Sequence, residues 1–363
     1  MTCAKKNKKA RVFKPQDGPE ARLFYYHASV RAAPAKAVEV IMKISRNLMV
    51  CGILGAGLMS PVSVVAQTDG PLSISLATGG TGGVYFPLGG AMAEAWSSEI
   101  DGLTVTAEST GASVVNVRLV QSGESEMAMV QNDIANYAYN SDEMFDGDDA
   151  LDNNMGMAML YPELIQIVTL ADSGISSVDD MTGRSVAVGA PGSGTEANAR
   201  QILSAHDIDY ADITEQFLPF GEAVDALRDG RIDAAFLTAG IPTAAVIDLQ
   251  STHDVSIVPI EAEMGDQIAD TWPFYSTITI PGGTYSGVED DVSTVTVLAM
   301  IVASADLEAN VVENMLEVLY DDATLERLCD THVRGCDISL DTAQEAMPIP
   351  LHPGAEAFYG NND

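Results

Sequence analysis

The stretch Ser75 to Gly90, SLATGGTGGVYFPLGG, decides how this chain folds. Just upstream, Leu72 to Ala77 alternate apolar and polar residues in the manner of a half-buried strand. Four glycines within five positions (79, 80, 82 and 83) then lead into an apolar segment, expected to be a helix over roughly Val84 to Ser97. Glycines at a strand-to-helix turn let a ligand approach the backbone, and the first turn of the helix offers free N–H groups. Such a turn binds anions without a charged side chain.

The same pattern recurs twice. Leu103 to Glu108 read as a strand that ends in Ser109-Thr-Gly-Ala-Ser113 and a helix carrying Asn116 and Arg118. Met127 to Val130 read as a third strand, ending in Gln131-Asn132-Asp133. In open α/β sheets the ligand crevice lies beyond the carboxyl ends of the strands. Three successive strands with polar endings therefore argue for a site.

Residues 1–41 are basic and lack periodicity, and are expected to be a mis-assigned upstream extension. From Met42 the chain reads as a secretory signal. Lys43 and Arg46 form the charged start, Leu48 to Met59 the apolar run, and Val64-Val65-Ala66 the small-residue cleavage site. An uncleaved N-terminal anchor is the alternative. The net charge is −34, but residues 1–66 hold eleven of the 18 basic residues and only three of the 52 acidic ones. Residues 67–363 carry seven arginines (118, 184, 200, 228, 231, 327 and 334), no lysine and 49 acids, a formal charge of −42. Self-repulsion of that size is tolerable when strongly screened, and the Debye length falls to about 3 Å at 1 M salt. The composition is read as adaptation to high salt, and it argues against nucleic acid and anionic membranes as partners. Cys329 and Cys336 are expected to form a small-loop disulfide in an oxidising compartment, the alternative being two free thiols.

Strands and helices alternate through the rest of the chain. Ser141 to Asn154 is an acidic loop whose spacing is not that of an EF-hand. Leu164 to Leu170 read as an apolar strand, and Val178 to Gly183 as a short helix and turn. Ser185 to Val188 form a strand ending in Gly189-Ala-Pro-Gly-Ser-Gly-Thr-Glu196, which again opens a helix. Ile232 to Leu237 form a strand ending at Thr238-Ala239-Gly240, and Val295 to Ala303 another long one. The expectation is an α/β protein of two lobes, 67–168 with 290–363 and 169–289, joined by two crossings near 164–170 and 295–303. The ligand cleft would lie between the lobes, as in a hinge-closing binding protein.

Six segments in this order resemble a known family. They are Ala77-Thr-Gly-Gly-Thr-Gly-Gly-Val-Tyr-Phe-Pro87, Ser109 to Ser113 with Asn116, Val130 to Asp133, Gly192 to Glu196, Ile232 to Phe236, and His352 to Ala355 with Phe358-Tyr359. Together they are similar to the TAXI-type solute receptors of tripartite ATP-independent periplasmic (TRAP) transporters. The resemblance implies a type II periplasmic-binding-protein fold; from the residues themselves no enzymatic activity, no cofactor and no metal are expected. It implies a periplasmic receptor, expected to be a monomer, and the acidic composition adds the expectation of a salt-adapted Gram-negative bacterium. The receptor would deliver glutamate, 2-oxoglutarate or a related organic acid to a sodium-coupled membrane permease. Carried over by motif, the binding residues would be Thr78, Gly82, Gly83, Val84, Tyr85, Thr110, Ser113, Asn116, Gln131 and Asp133 in one lobe. Gly194, Thr195, Glu196, Thr238 and Gly240 would face them from the other. Asp133 or Glu196 could accept an ammonium if the solute is an amino acid. Arg118 either binds the solute or pairs with a nearby acid.

An enzyme is the rival class, but Gly192-Ser193-Gly194 lacks the flanking pattern of a nucleophile elbow. The first loop lacks full Gly-x-Gly-x-x-Gly spacing, and no metal-ligand cluster is legible. A periplasmic ligand sensor that presents solute to a membrane signalling receptor is the alternative function.

Overall fold

The computed structural model describes residues 71–362, so the expected leader and upstream extension lie outside the described residues. The chain opens with three β–α units: β1 (Leu72–Ala77), α1 (Tyr85–Glu99), β2 (Leu103–Glu108), α2 (Ser113–Ser122), β3 (Met127–Gln131) and α3 (Asn132–Asn140). A long strand β4 (Asn154–Leu170) comes next, then β5 (Ser185–Gly189), α4 (Gly194–Ala205), β6 (Thr214–Phe217), α5 (Phe220–Arg228), β7 (Ala234–Ala239), α6 (Ala244–Gln250), β8 (Val255–Val258), α7 (Ala262–Thr271) and β9 (Ser276–Ile280). The second long strand, β10 (Val292–Ser304), leads to α8 (Ala309–Leu319), α9 (Asp322–Thr331) and α10 (Pro353–Asn362). Cys329 and Cys336 are bridged. No helix among the described residues is long and apolar enough to cross a membrane.

The strands lie in the order β2-β1-β3-β10-β4-β7-β5-β6, with β8 added on β4 and β9 on β10. Each end of this sheet is parallel: β1 pairs with β2 and β3, and β5 pairs with β6 and β7. The two long strands are antiparallel to their neighbours and belong to both ends. β4 pairs with β10 over most of Met155 to Leu164, and with β7 from Leu164 to Thr169. β10 pairs with β9 from Val292 to Thr296 and with β3 from Ala299 to Ala303. Two α/β halves thus share two crossing strands, and this is the mixed α/β architecture of the type II periplasmic-binding-protein fold. Leu76, Leu88, Trp96 and Met129 centre one core, and Ile167, Val188, Phe236 and Val297 another.

Several elements differ from the sequence expectation. β4 begins ten residues before Leu164, because Pro162 and Gly156 interrupt an otherwise apolar run without ending the strand. Proline donates no ladder hydrogen bond, and the pairing slips between Leu298 and Met300 beside it, an irregularity of the sort that accommodates such a residue. β6 and β9 escape a reading by apolar pattern, since β6 has no buried residue and β9 only Ile280. Helices α7, α9 and α10 are likewise additions to the elements expected from the sequence.

Candidate functional site

The strand ends and helix starts of both halves meet at a single cleft of about 560 Å³, counting its open mouth. Gly79, Gly80, Gly83, Val84 and Tyr85 line it from the start of α1, and Thr110 to Ser113 from the start of α2. Ser193, Gly194 and Thr195 face them from the start of α4, and Pro219 and Phe220 from the start of α5. Four helix N-termini therefore surround one space, each with first-turn N–H groups that have no partner within their own helix. Gln131, Glu163, Thr238 and Ala239 complete the wall.

Local bonding explains how these loops hold their shape. Asn116 Nδ2 donates to the carbonyls of Thr78 (2.7 Å) and Met129 (2.8 Å), tying β1 to β3 beneath the cleft. Its Oδ1 lies 2.6 Å from Thr110 Oγ1, which accepts the Ala112 N–H. Ala112 has φ of 70°, a conformation L-residues rarely adopt and one that tends to mark functional loops. Ser113 Oγ accepts the Gln131 N–H, and Ser193 Oγ caps α4 by accepting the Glu196 N–H. The halves also touch directly: Ala245 N donates to Gly82 O and Val115 N to Gly192 O.

Not every residue expected at the site lines it. Gly83, Val84, Tyr85, Thr110, Ser113, Gln131, Gly194, Thr195 and Thr238 do. Thr78 and Asn116 are fully buried and brace the loops instead. Gly82 packs against Gly221 and Ala245, and Gly240 lies under the Arg334 side chain, where a Cβ would collide. Glu196 turns outward to Arg200 and the Tyr210 hydroxyl. Asp133 is buried behind Gln131 and accepts from Asn198 Nδ2 at 3.0 Å. Arg118 pairs with Asp148 on the surface, away from the cleft.

The electrostatics are unusual for a site so rich in anion-binding geometry. All seven arginines of the described residues pair with an aspartate or glutamate, and none lines the cleft. The carboxyl that does line it is Glu163, 2 % exposed, whose Oε2 accepts the Tyr85 hydroxyl at 2.6 Å. Burial pushes its carboxyl up to about 8, with the charge of Asp133 adding and the Tyr85 bond opposing. Burial likewise raises Asp133 to about 7, against the bonds from Ile134 and Asn198.

Residues 76–361 match the NMT1-like family. The chain belongs to that family. Among solved structures, a protein from Bordetella bronchiseptica RB50 is 16 % identical, with a TM-score of 0.48, covering 79 % of this chain and 81 % of its own. The alkanesulfonate-binding protein from Xanthomonas axonopodis pv. citri, solved with MOPS, is 12 % identical with a TM-score of 0.44, covering 72 % and 79 %. A putative L-cystine ABC transporter protein from Listeria monocytogenes is 14 % identical with a TM-score of 0.45, covering 74 % and 98 %.

In this NMT1-like protein, sequence reasoning passes over Phe220 and Glu163 as site residues. Glu163 carries the clearest signal: it is the one acid in the otherwise apolar run from Met155 to Leu170. A charge buried in such a strand costs free energy unless it is paired, hydrogen-bonded or neutralised, so an acid there stands out.

Proposed function

We propose that this chain is a periplasmic solute receptor that captures a small carboxylate and hands it to a sodium-coupled permease of the TRAP type. The observation that carries the proposal is the convergence of four helix N-termini, from both halves, on one cleft without a cationic side chain. Unpaired N–H groups and helix dipoles favour a carboxylate there, each dipole by about 0.3–1 kcal/mol, more when partly buried. Tyr85 and Phe220 offer apolar surface to the rest of the solute. A ligand bridging both halves stabilises their closed arrangement, and the permease would read that closed surface. The leader expected before Gln67 and the motif order from Ala77 to Tyr359 support the periplasmic setting and the TRAP-type partner.

The test is a thermal-shift panel of amino acids, mono- and dicarboxylates and sugars in about 1 M NaCl. A bound carboxylate at roughly 100 times its Kd should add about 2.7 kcal/mol, or a few degrees in Tm. Shifts with sugars alone would overturn the carboxylate assignment.

A further inference from the structure

One buried acceptor oxygen in the cleft wall has no donor, neighbouring bonds identify it, and a carboxyl stands in the same wall. Asp133 Oδ2 accepts from Asn198 Nδ2, so the Asn198 amide nitrogen points at that carboxyl. The same Nδ2 donates to the Tyr275 hydroxyl, whose own proton goes to Gln201 Oε1. Asn198 Oδ1 is therefore left to accept from Gln131 Nε2 at 3.1 Å and from Thr238 Oγ1 at 3.0 Å. With Asp133 ionised, that sets the Gln131 amide the other way round: Oε1, buried and unpartnered, lies at the cleft wall beside Gly194. The second acceptor is Glu163, with Oε2 held by Tyr85 and no bond to Oε1 among the described residues. A buried acceptor without a donor is costly, an occupant that supplies an N–H relieves Gln131 Oε1, and Glu163 offers that occupant a second acceptor once its carboxyl ionises.

We propose that Glu163 and Gln131 Oε1 form an amino-group subsite, so that the receptor prefers an α-amino acid to the 2-oxo acid of the same skeleton and releases a proton on binding it. This deepens the receptor assignment and rests on it. The helix N-termini take the carboxylate, and the ammonium gives one N–H to each acceptor. Glu163 resists ionising in the free protein through burial, and the charges around it do not help. Tyr85 from α1, Tyr161 from its own strand and Asp133 from α3 are the titratable groups it feels, and none is cationic. A bound ammonium reverses the balance. The carboxyl proton leaves to solvent, the ammonium keeps its three hydrogens, and the pair is neutral inside the cleft.

Calorimetry on the purified full chain tests this with matched pairs: L-glutamate and 2-oxoglutarate, L-alanine and pyruvate, L-leucine and 4-methyl-2-oxopentanoate. Titrations at pH 7 in buffers of different ionisation enthalpy count the protons exchanged. The expected result is roughly 10- to 100-fold tighter binding of one amino acid than of its oxo partner. It should come with release of a proton that fades by about pH 9. Glu163→Gln should lose both the preference and the proton release. Equal or tighter binding of the oxo acid, or no proton exchanged by the unmodified protein, overturns the subsite and leaves the receptor assignment intact. Binding of none of the six acids, with no carboxylate of the thermal-shift panel bound either, overturns both. Because the unmodified protein supplies the decisive readings, a Glu163→Gln variant that failed to fold would not shield the proposal.

Discussion

Gln131 stands at the end of β3 with its amide caught between Asn198 and the cleft. Truncation to Ala removes one buried bond and one cleft acceptor but leaves Asn198 Oδ1 with Thr238. Gln131→Ala is expected to weaken solute binding about tenfold while the protein still folds, a loss of about 1–2 kcal/mol. An unchanged Kd by calorimetry would remove Gln131 from the site. Asp133 and Glu163 make a second residue-scale prediction. Their folded pKa values, about 7 and about 8, lie above ordinary carboxyl values, so the folded state holds protons that the unfolded chain has given up. Their contribution is fully present below about pH 4 and is lost as pH rises through 7 and 8. The Tm of the ligand-free protein should therefore fall between about pH 5 and 8 and level off above, and Asp133→Asn should flatten part of that slope. A rising Tm over this range would contradict the buried, uncompensated carboxyls.

The α4 start illustrates what an element does that a residue cannot. Gly194 is the first residue of the helix, and a Cβ there would strike the Gln131 side chain, which belongs to the opposite half. Its small size is a condition for the two halves to meet, whereas its helical role would suit alanine well. Gly194→Ala should hold the halves apart. Solute affinity should drop by about tenfold or more, as a cleft in which both walls must meet loses one of them. Small-angle scattering should give a larger radius of gyration at saturating solute than for the unmodified protein. Equal radii with unchanged affinity would show that closure does not require this contact. Sequence patterns made the α4 start legible as a Gly/Ser/Thr turn, but its partner across the cleft lies 63 positions earlier. No local periodicity links the two.

At the scale of the whole molecule, seven arginines face 49 acids in residues 67–363, and every one of those arginines has an acidic partner. The surplus acids repel one another over distances that salt shortens from about 10 Å at 0.1 M to about 3 Å at 1 M. Raising NaCl across that range should raise Tm by several degrees, of the order produced by 1–2 kcal/mol in a protein of this size. A Tm that is flat or falling with salt would rule out adaptation to high salt as the cause of this composition. The same imbalance constrains the cleft: with the arginines of the described residues committed elsewhere, the proposed carboxylate would have to be met by backbone N–H groups.

The sequence alone determined what local physics encodes. Alternation set β1 and β2, glycine-rich turns set the starts of α1 and α4, and the long apolar runs near 164–170 and 295–303 set the paired strands shared by both halves. These follow from side-chain periodicity and backbone freedom within a few residues. Tertiary structure alone decided which strand-end residues face the cleft. Glu163 enters it because β4 starts ten residues earlier than its apolar run suggests and passes beneath Tyr85, 78 positions away in sequence. Asp133, Glu196 and Gly240, with equally suggestive positions, turn instead to Asn198, Arg200 and Arg334. Side-chain direction at a strand end depends on the packing of distant segments, and that information is not carried by any short stretch of the chain.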